Sequence, residues 1–277
     1  MKNTYSIVVN TCDKFDDCWQ PFFKLFTKYW PDCKGQIYLN TEYKDYNYKD
    51  LNILSTKVCE EKQDSHLITW SECLIRALNA IDSDVVLYLQ EDYFIKADVK
   101  NDVIENYVKL MNEDKDIDCI HLTDQGSTAK ISESKYKGLL PSDLNHRDFI
   151  SCQAALWRKD TLLSYLRSYE TAWQFEEFGS KRGGILNNNF YVVDKAIVKL
   201  NESEIIPYVF TGVIQGRWFE EVVPLFSKHH IYVDYSIRGF VKDAPKKSLL
   251  LRLKNKWKRL PSLLRNNIEI SKKSKRS

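Results

Sequence analysis

The chain of 277 residues is 29 % charged and 13 % aromatic with only 9 Gly, and it is long enough to bury a full α/β core. No apolar run approaches the ~20 residues of a helical membrane span, and seven scattered Cys with no CxxC pair or zinc spacing point to reduced thiols of a cytosolic protein. The net charge of +3 is unevenly spread: residues 242–277 hold 13 Lys/Arg against 2 Asp/Glu, a balance of +11, which leaves −8 on the remainder.

The N-terminus runs straight into Tyr5–Asn10, read as a first strand with no secretory leader before it. A polar turn at Thr11-Cys12-Asp13 precedes a helical stripe of Trp19, Phe22, Phe23, Phe26 and Trp30, which Pro31 stops. Gln36–Asn40 and Leu51–Leu54 read as two further strands. Leu67, Trp70, Leu74, Ala77, Leu78 and Ile81 recur every three or four residues, the spacing of an amphipathic helix. Next comes Val85-Val86-Leu87-Tyr88-Leu89, an apolar run rich in β-branched residues that reads as a strand buried on both faces. Strand, helix, strand, helix, strand in this order predicts a right-handed, mostly parallel α/β sheet. Tyr107–Met111 belongs to another helix and Cys119–Leu122 to another strand. After Gly126 the pattern loosens until Phe149–Trp157, read as strand or turn, followed by a helix over Thr161–Ser168 and a further element opening at Trp173. Val209–Val213 and Ile231–Val233 are the last core-like runs, and no internal repeat is present. His66 and His121 read as surface or core residues without a role.

The fourth apolar run ends in Gln90-Glu91-Asp92. In parallel sheets ligands sit just beyond the carboxyl ends of the strands. Hard carboxylate oxygens there suit Mg²⁺ or Mn²⁺ held against phosphates. The alternative is a pair of solvated loop acids.

An Ile-Val-Val first strand, followed by an apolar strand closed by acids, resembles the GT-A fold of glycosyltransferases. The resemblance implies that Gln90, Glu91 and Asp92 occupy an Asp-X-Asp-like metal and diphosphate site, with Asp92 and Glu91 as metal ligands and a late histidine, His229 of the His229-His230 pair, as a third. It places the nucleotide base near Thr11 and Asp13, with Arg76 on the preceding helix also facing the nucleotide. The departing diphosphate would meet Lys181 and Arg182, or later Arg217 and Arg238, because cations stabilise a leaving phosphate. Gly212–Trp218 reads as a flexible loop closing over the donor. Gln153–Asp160 resembles the acceptor-side segment of bacterial surface-polysaccharide (capsule or O-antigen) transferases. In Trp173-Gln174-Phe175-Glu176-Glu177, Glu176, or failing it Glu177, would take the acceptor hydroxyl's proton, because a sugar hydroxyl is a poor nucleophile until a base withdraws it. Residues that start a helix also favour acids, which is the ordinary alternative.

The division expected is a catalytic domain over 1–240, with a nucleotide-sugar half (1–125) and an acceptor half (126–240), and a basic tail over 241–277. In that tail Leu249, Leu253, Trp257 and Leu260 share a helical face apart from Lys254, Lys258 and Arg259, up to a break at Pro261. This is the pattern of a helix in the interface of an anionic membrane, and no nucleic-acid motif accompanies the charge. The function expected is transfer of a sugar, with inversion, from a UDP-linked donor to a lipid-linked saccharide at the inner face of the plasma membrane. A nucleotidyltransferase shares the base-binding half, but the Gly-rich phosphate loop it carries after the first strand is absent from Asn10–Lys14. A non-catalytic, membrane-associated saccharide-binding protein is the third possibility.

Overall fold

The computed structural model describes residues 4–60, 68–123, 129–130, 132–146, 149–199, 202–244 and 249–274, without the side chains of 249–258 and 273–274. Leu67 and His66 lie outside the described residues, as do the side chains of Leu249, Leu253, Lys254, Trp257 and Lys258. An eight-stranded sheet in the order β3-β2-β1-β4-β7-β5-β8-β6 forms the centre. Its strands are β1 (Ser6–Asn10), β2 (Gln36–Asn40), β3 (Ile53–Ser55), β4 (Val85–Gln90), β5 (Cys119–His121), β6 (Leu139–Pro141), β7 (Ala155–Arg158) and β8 (Phe190–Val193). Pairing is parallel along β3-β2-β1-β4 and between β5 and β8. β7 runs antiparallel to both its neighbours, and β6 is an antiparallel edge. The mostly parallel α/β sheet is therefore as the sequence predicts. Its two expected halves are joined, because β7 of the second lies between β4 and β5.

Period-two alternation along the central strands divides the core. Ile7, Val9, Leu87 and Leu89 face one side with α1 (Trp19–Tyr29), α3 (Asn101–Glu113) and α6 (Val222–Lys228). Val8, Val86 and Tyr88 face the other with α2 (Trp70–Asn79), α4 (Lys159–Tyr165) and α5 (Ala172–Leu186). The aromatic stripe of α1 is buried as its spacing requires, and Trp30 closes it by donating to Asn101 Oδ1 at 2.8 Å. All seven cysteines are free thiols.

α5 begins in a capping box, where Thr171 accepts from the Gln174 amide and Gln174 accepts from Thr171. It lies close on the Phe149–Ile150 segment because Gly183 has no side chain. A Cβ there would stand 2.1 Å from the Phe149 ring.

Two expectations need correction. Gly212–Trp218 is not a free flap. It forms the hairpin of β9 (Val213–Ile214) and β10 (Arg217–Trp218), anchored by a fully buried Trp218 packed on Phe94 and Phe226. The tail is not broken at Pro261 either, because α7 (Leu249–Ser274) runs through it. Proline forfeits one backbone hydrogen bond, and polar contacts of α7 with α5, through Asn266, and with the link before α5, through Glu269, hold the helix beyond that point.

Candidate functional site

Register brings the carboxyl ends of three strands together. Asn10 is opposite Asn40 on one side and Gln90 on the other. Asn40 Nδ2 donates to Asn10 Oδ1 at 2.7 Å, and Asn10 Nδ2 donates to the Tyr88 hydroxyl at 3.2 Å. Buried polar groups satisfied in this way rigidify the edge on which the acids sit. These asparagines were not singled out in the sequence, although each is the polar last residue of an apolar strand, which is the signal that could have shown them.

Asp92 and Glu91 follow at once, 5 % and 9 % exposed. Asp92 Oδ2 accepts from Thr211 Oγ1 at 2.9 Å and from the amides of Gly212 and Val213 at 3.1 and 3.0 Å. Its Oδ1 is buried without a partner. Burial raises the Asp92 carboxyl above its ordinary range, and those three donors oppose the rise. Burial raises Glu91 further, with the Asp92 charge adding to it and Arg238 opposing. Arg238 lies over the Phe15 ring at 4.4 Å, donates through Nε to Asp17 at 2.6 Å and through Nη2 to the Lys14 carbonyl at 2.9 Å.

Because β7 is antiparallel to β4, with Tyr88 opposite Ala155, the turn leading into β7 reaches this same edge. There the Cys152 amide donates to Glu176 Oε1 at 2.7 Å, and the Tyr93 hydroxyl donates to the Cys152 carbonyl at 2.6 Å. Tyr208 stacks on Tyr93 at 4.7 Å and donates to Gln153 Oε1 at 2.8 Å. Two bonds through Cys152 thus join Glu176 to Tyr93, the neighbour of Asp92. Gln90, Glu91, Asp92 and Glu176 border one edge of the sheet.

The other candidates lie elsewhere or are otherwise engaged. Asp13 fastens the loop after β2: its oxygens accept the amides of Glu42, Tyr43 and Lys44 at 3.0, 2.9 and 3.1 Å. Thr11 accepts from Trp19 Nε1 at 2.9 Å. Arg76 pairs with Glu72 on its own helix and donates to the Val58 carbonyl. Arg217 reaches the Arg238 carbonyl at 3.5 Å from β10. Glu177, expected as the alternative base, pairs with Lys181 and Arg259, so it and Lys181, expected at the phosphates, are engaged with each other. Arg182 is 1 % exposed and grips Glu170 through both nitrogens at 2.7 and 2.8 Å, so it is a core ion pair and not a donor-binding residue. His229 bonds the Tyr29 hydroxyl at 2.8 Å. Tyr29 ends α1, the helix that returns from the acidic edge, so His229 does not share a site with Asp92.

Among the described residues no three His, Cys, Asp or Glu side chains are grouped to hold a metal. Glu91 and the orphaned Oδ1 of Asp92 are nevertheless a donor pair that fits a hard cation. Two adjacent buried acids, one with an unpartnered oxygen, are costly to ionise alone, and a divalent ion relieves both. Mg²⁺ commonly takes one or two carboxylates and fills its shell with phosphate oxygens and water.

No protein-family model and no curated protein sequence matches the chain. Solved structures resemble it at low identity. Residues 1–349 of S. aureus TarS align at 13 % identity and TM-score 0.44 over 74 % of this chain and 59 % of that one. CMP:2-keto-3-deoxy-manno-octonic acid synthetase complexed with CTP aligns at 10 % and 0.44 over 82 % and 99 %. Drosophila β1,4-galactosyltransferase 7 with manganese, UDP-galactose and xylobiose aligns at 10 % and 0.39 over 76 % and 71 %. The chain spans about three-fifths of the TarS fragment's length. These enzymes include both glycosyltransferases and nucleotidyltransferases, and at TM-scores below 0.5 the functional argument rests on the site.

Proposed function

We propose that the protein is a glycosyltransferase that moves a sugar from a nucleotide-sugar donor, UDP-linked, to a lipid-linked saccharide in surface-polysaccharide synthesis, with inversion. Residues 1–240 form the catalytic body and 241–277 a membrane-associating tail at the inner face of the plasma membrane. The observation that carries the reading is the sharing of one sheet edge by a carboxylate, Glu176, and an acid pair, Glu91 and Asp92.

Glu176 takes the acceptor hydroxyl's proton as the oxygen forms its bond to the anomeric carbon. The bond from that carbon to the diphosphate oxygen breaks, and its electron pair leaves with the nucleoside diphosphate. A carboxylate offers about four acceptor sites, so the Cys152 amide orients Glu176 and leaves it able to receive that proton. Glu91 and Asp92 would hold a Mn²⁺ or Mg²⁺ ion, whose chemistry is to neutralise the departing phosphates. Arg238 adds fixed positive charge beside Glu91. The stacked Tyr93–Tyr208 pair keeps the turn that carries Cys152 in place.

The test incubates the protein with UDP-sugars and Mn²⁺ and measures UDP release. Glu176→Gln is expected to lower transfer about 10²–10⁴-fold with an unchanged unfolding curve, and Glu177→Gln to leave it near wild type. Undiminished UDP release by Glu176→Gln would overturn the assignment of the base. Pyrophosphate release from a nucleoside triphosphate and a sugar phosphate would mark a nucleotidyltransferase instead.

A further inference from the structure

α7 is mounted with its usual polarity reversed. A surface helix normally buries its apolar stripe and shows its charges to water. Here the buried residues of the described half are the polar Ser262 and Asn266, with Leu263 and Ile270 only half-buried beside them. Asn266 Oδ1 accepts from Arg182 Nη1 at 3.1 Å, inside the Arg182–Glu170 ion pair. Arg167 Nε donates to Glu269 at 2.8 Å, and Arg259 pairs with Glu177 of α5. On the opposite face Leu260, Leu264 and Ile268, spaced four residues apart, are 42 %, 54 % and 53 % exposed. In sequence the stripe runs back, at steps of three and then four, through Trp257, Leu253 and Leu249. Residues 249–277 carry 10 Lys/Arg and one acid.

We propose that α7 seats on an anionic lipid bilayer through the Leu260–Leu264–Ile268 face, and that its polar seam fixes the seated helix to α5, the helix of Glu176, so that lipid binding sets the orientation of the acidic sheet edge. The seating stands apart from the transfer chemistry, whereas its meaning for that edge rests on the reading of Glu176 as base. Charge selects the occupant. An apolar stripe edged by cations suits acidic headgroups, and each nearby cation adds attraction. A second copy would bring one strongly cationic helix against another, and like-charge juxtaposition opposes that.

The experiment is co-sedimentation of the full chain with vesicles of phosphatidylcholine alone and of phosphatidylcholine mixed with phosphatidylglycerol. Binding is expected to the mixed vesicles only, to weaken with salt, and to fall roughly tenfold or more in L260S/L264S/I268S. These exposed substitutions leave the fold and the release of UDP from the donor intact, so loss of binding and loss of chemistry are read separately. Equal vesicle binding by the triple variant overturns the proposal, as does a lipid-free dimer that the triple variant abolishes. For the mount, hydrogen exchange should slow in both α5 and α7 on mixed vesicles. In N266L/E269L it should slow in α7 alone. Unchanged α5 exchange in the wild type removes the coupling.

Discussion

Gly212 donates its amide to two oxygens of Asp92, the carbonyl at 3.0 Å and Oδ2 at 3.1 Å. The closeness depends on a missing side chain. A Cβ at Gly212 would stand 2.2 Å from the Phe94 ring and 2.8 Å from the Asp92 carbonyl. Gly212→Ala is therefore expected to cost about 1–3 kcal/mol by overpacking and to lower donor turnover through Asp92. Urea unfolding and UDP release measured on the same sample check both.

Burial gives Glu91 a pH signature. Its folded pKa is raised, so the native state keeps a proton that the unfolded chain has lost. The stability this contributes is complete below the ordinary glutamate range and declines as pH rises toward the raised value. Metal-free protein should lose urea resistance on this account as pH rises above the ordinary glutamate range, and Glu91→Gln should flatten that slope. Mn²⁺ should restore stability at the upper end in the wild type and less in the variant.

His121 has the opposite sign. It is fully buried, edge-on to Trp157 and Phe190, and burial lowers its pKa to about 4. The native state refuses a proton that the unfolded chain accepts, so stability present above pH 6.5 is lost as pH falls toward 4. The loss is on the order of 3 kcal/mol. His121→Phe should show a shallower acid limb in thermal unfolding between those values.

Arg182 tests a correction. Removing it alone, as Arg182→Met, leaves Glu170 buried without its cation and should cost about 3–5 kcal/mol. Adding Glu170→Gln should recover much of that. Donor affinity, measured by titration with UDP, should be the same in the double variant as in the wild type. A large loss of affinity would return Arg182 to the site.

Local pattern made the framework readable. The apolar run of β4 and the aromatic stripe of α1 each state their element and their buried face, because periodicity is a property of neighbours in sequence. The acid pair was visible for the same reason, since it closes the run. Side chains whose partners lie far along the chain were not readable. Asp13 meets amides about 30 residues on, and His229 meets Tyr29 from 200 residues away. A cation in an amphipathic segment looks alike whether it faces phosphate, as expected of Arg182, or a buried glutamate, as found. Pro261 misled through propensity, which tertiary contacts overrode.

The antiparallel strand β7 has a bearing on biosynthesis. Until residue 158 has left the ribosome, β4 has no neighbour on its outer side, and of the helices on the Tyr88 face only α2 has been made. The nascent first half therefore presents an apolar, unpaired strand edge, the feature that invites association between chains. Completion waits on a pairing between residues about 70 apart, a slow step by the topology of its contacts. Expression at low temperature or with a chaperone that shields extended segments should favour the monomeric chain over aggregates.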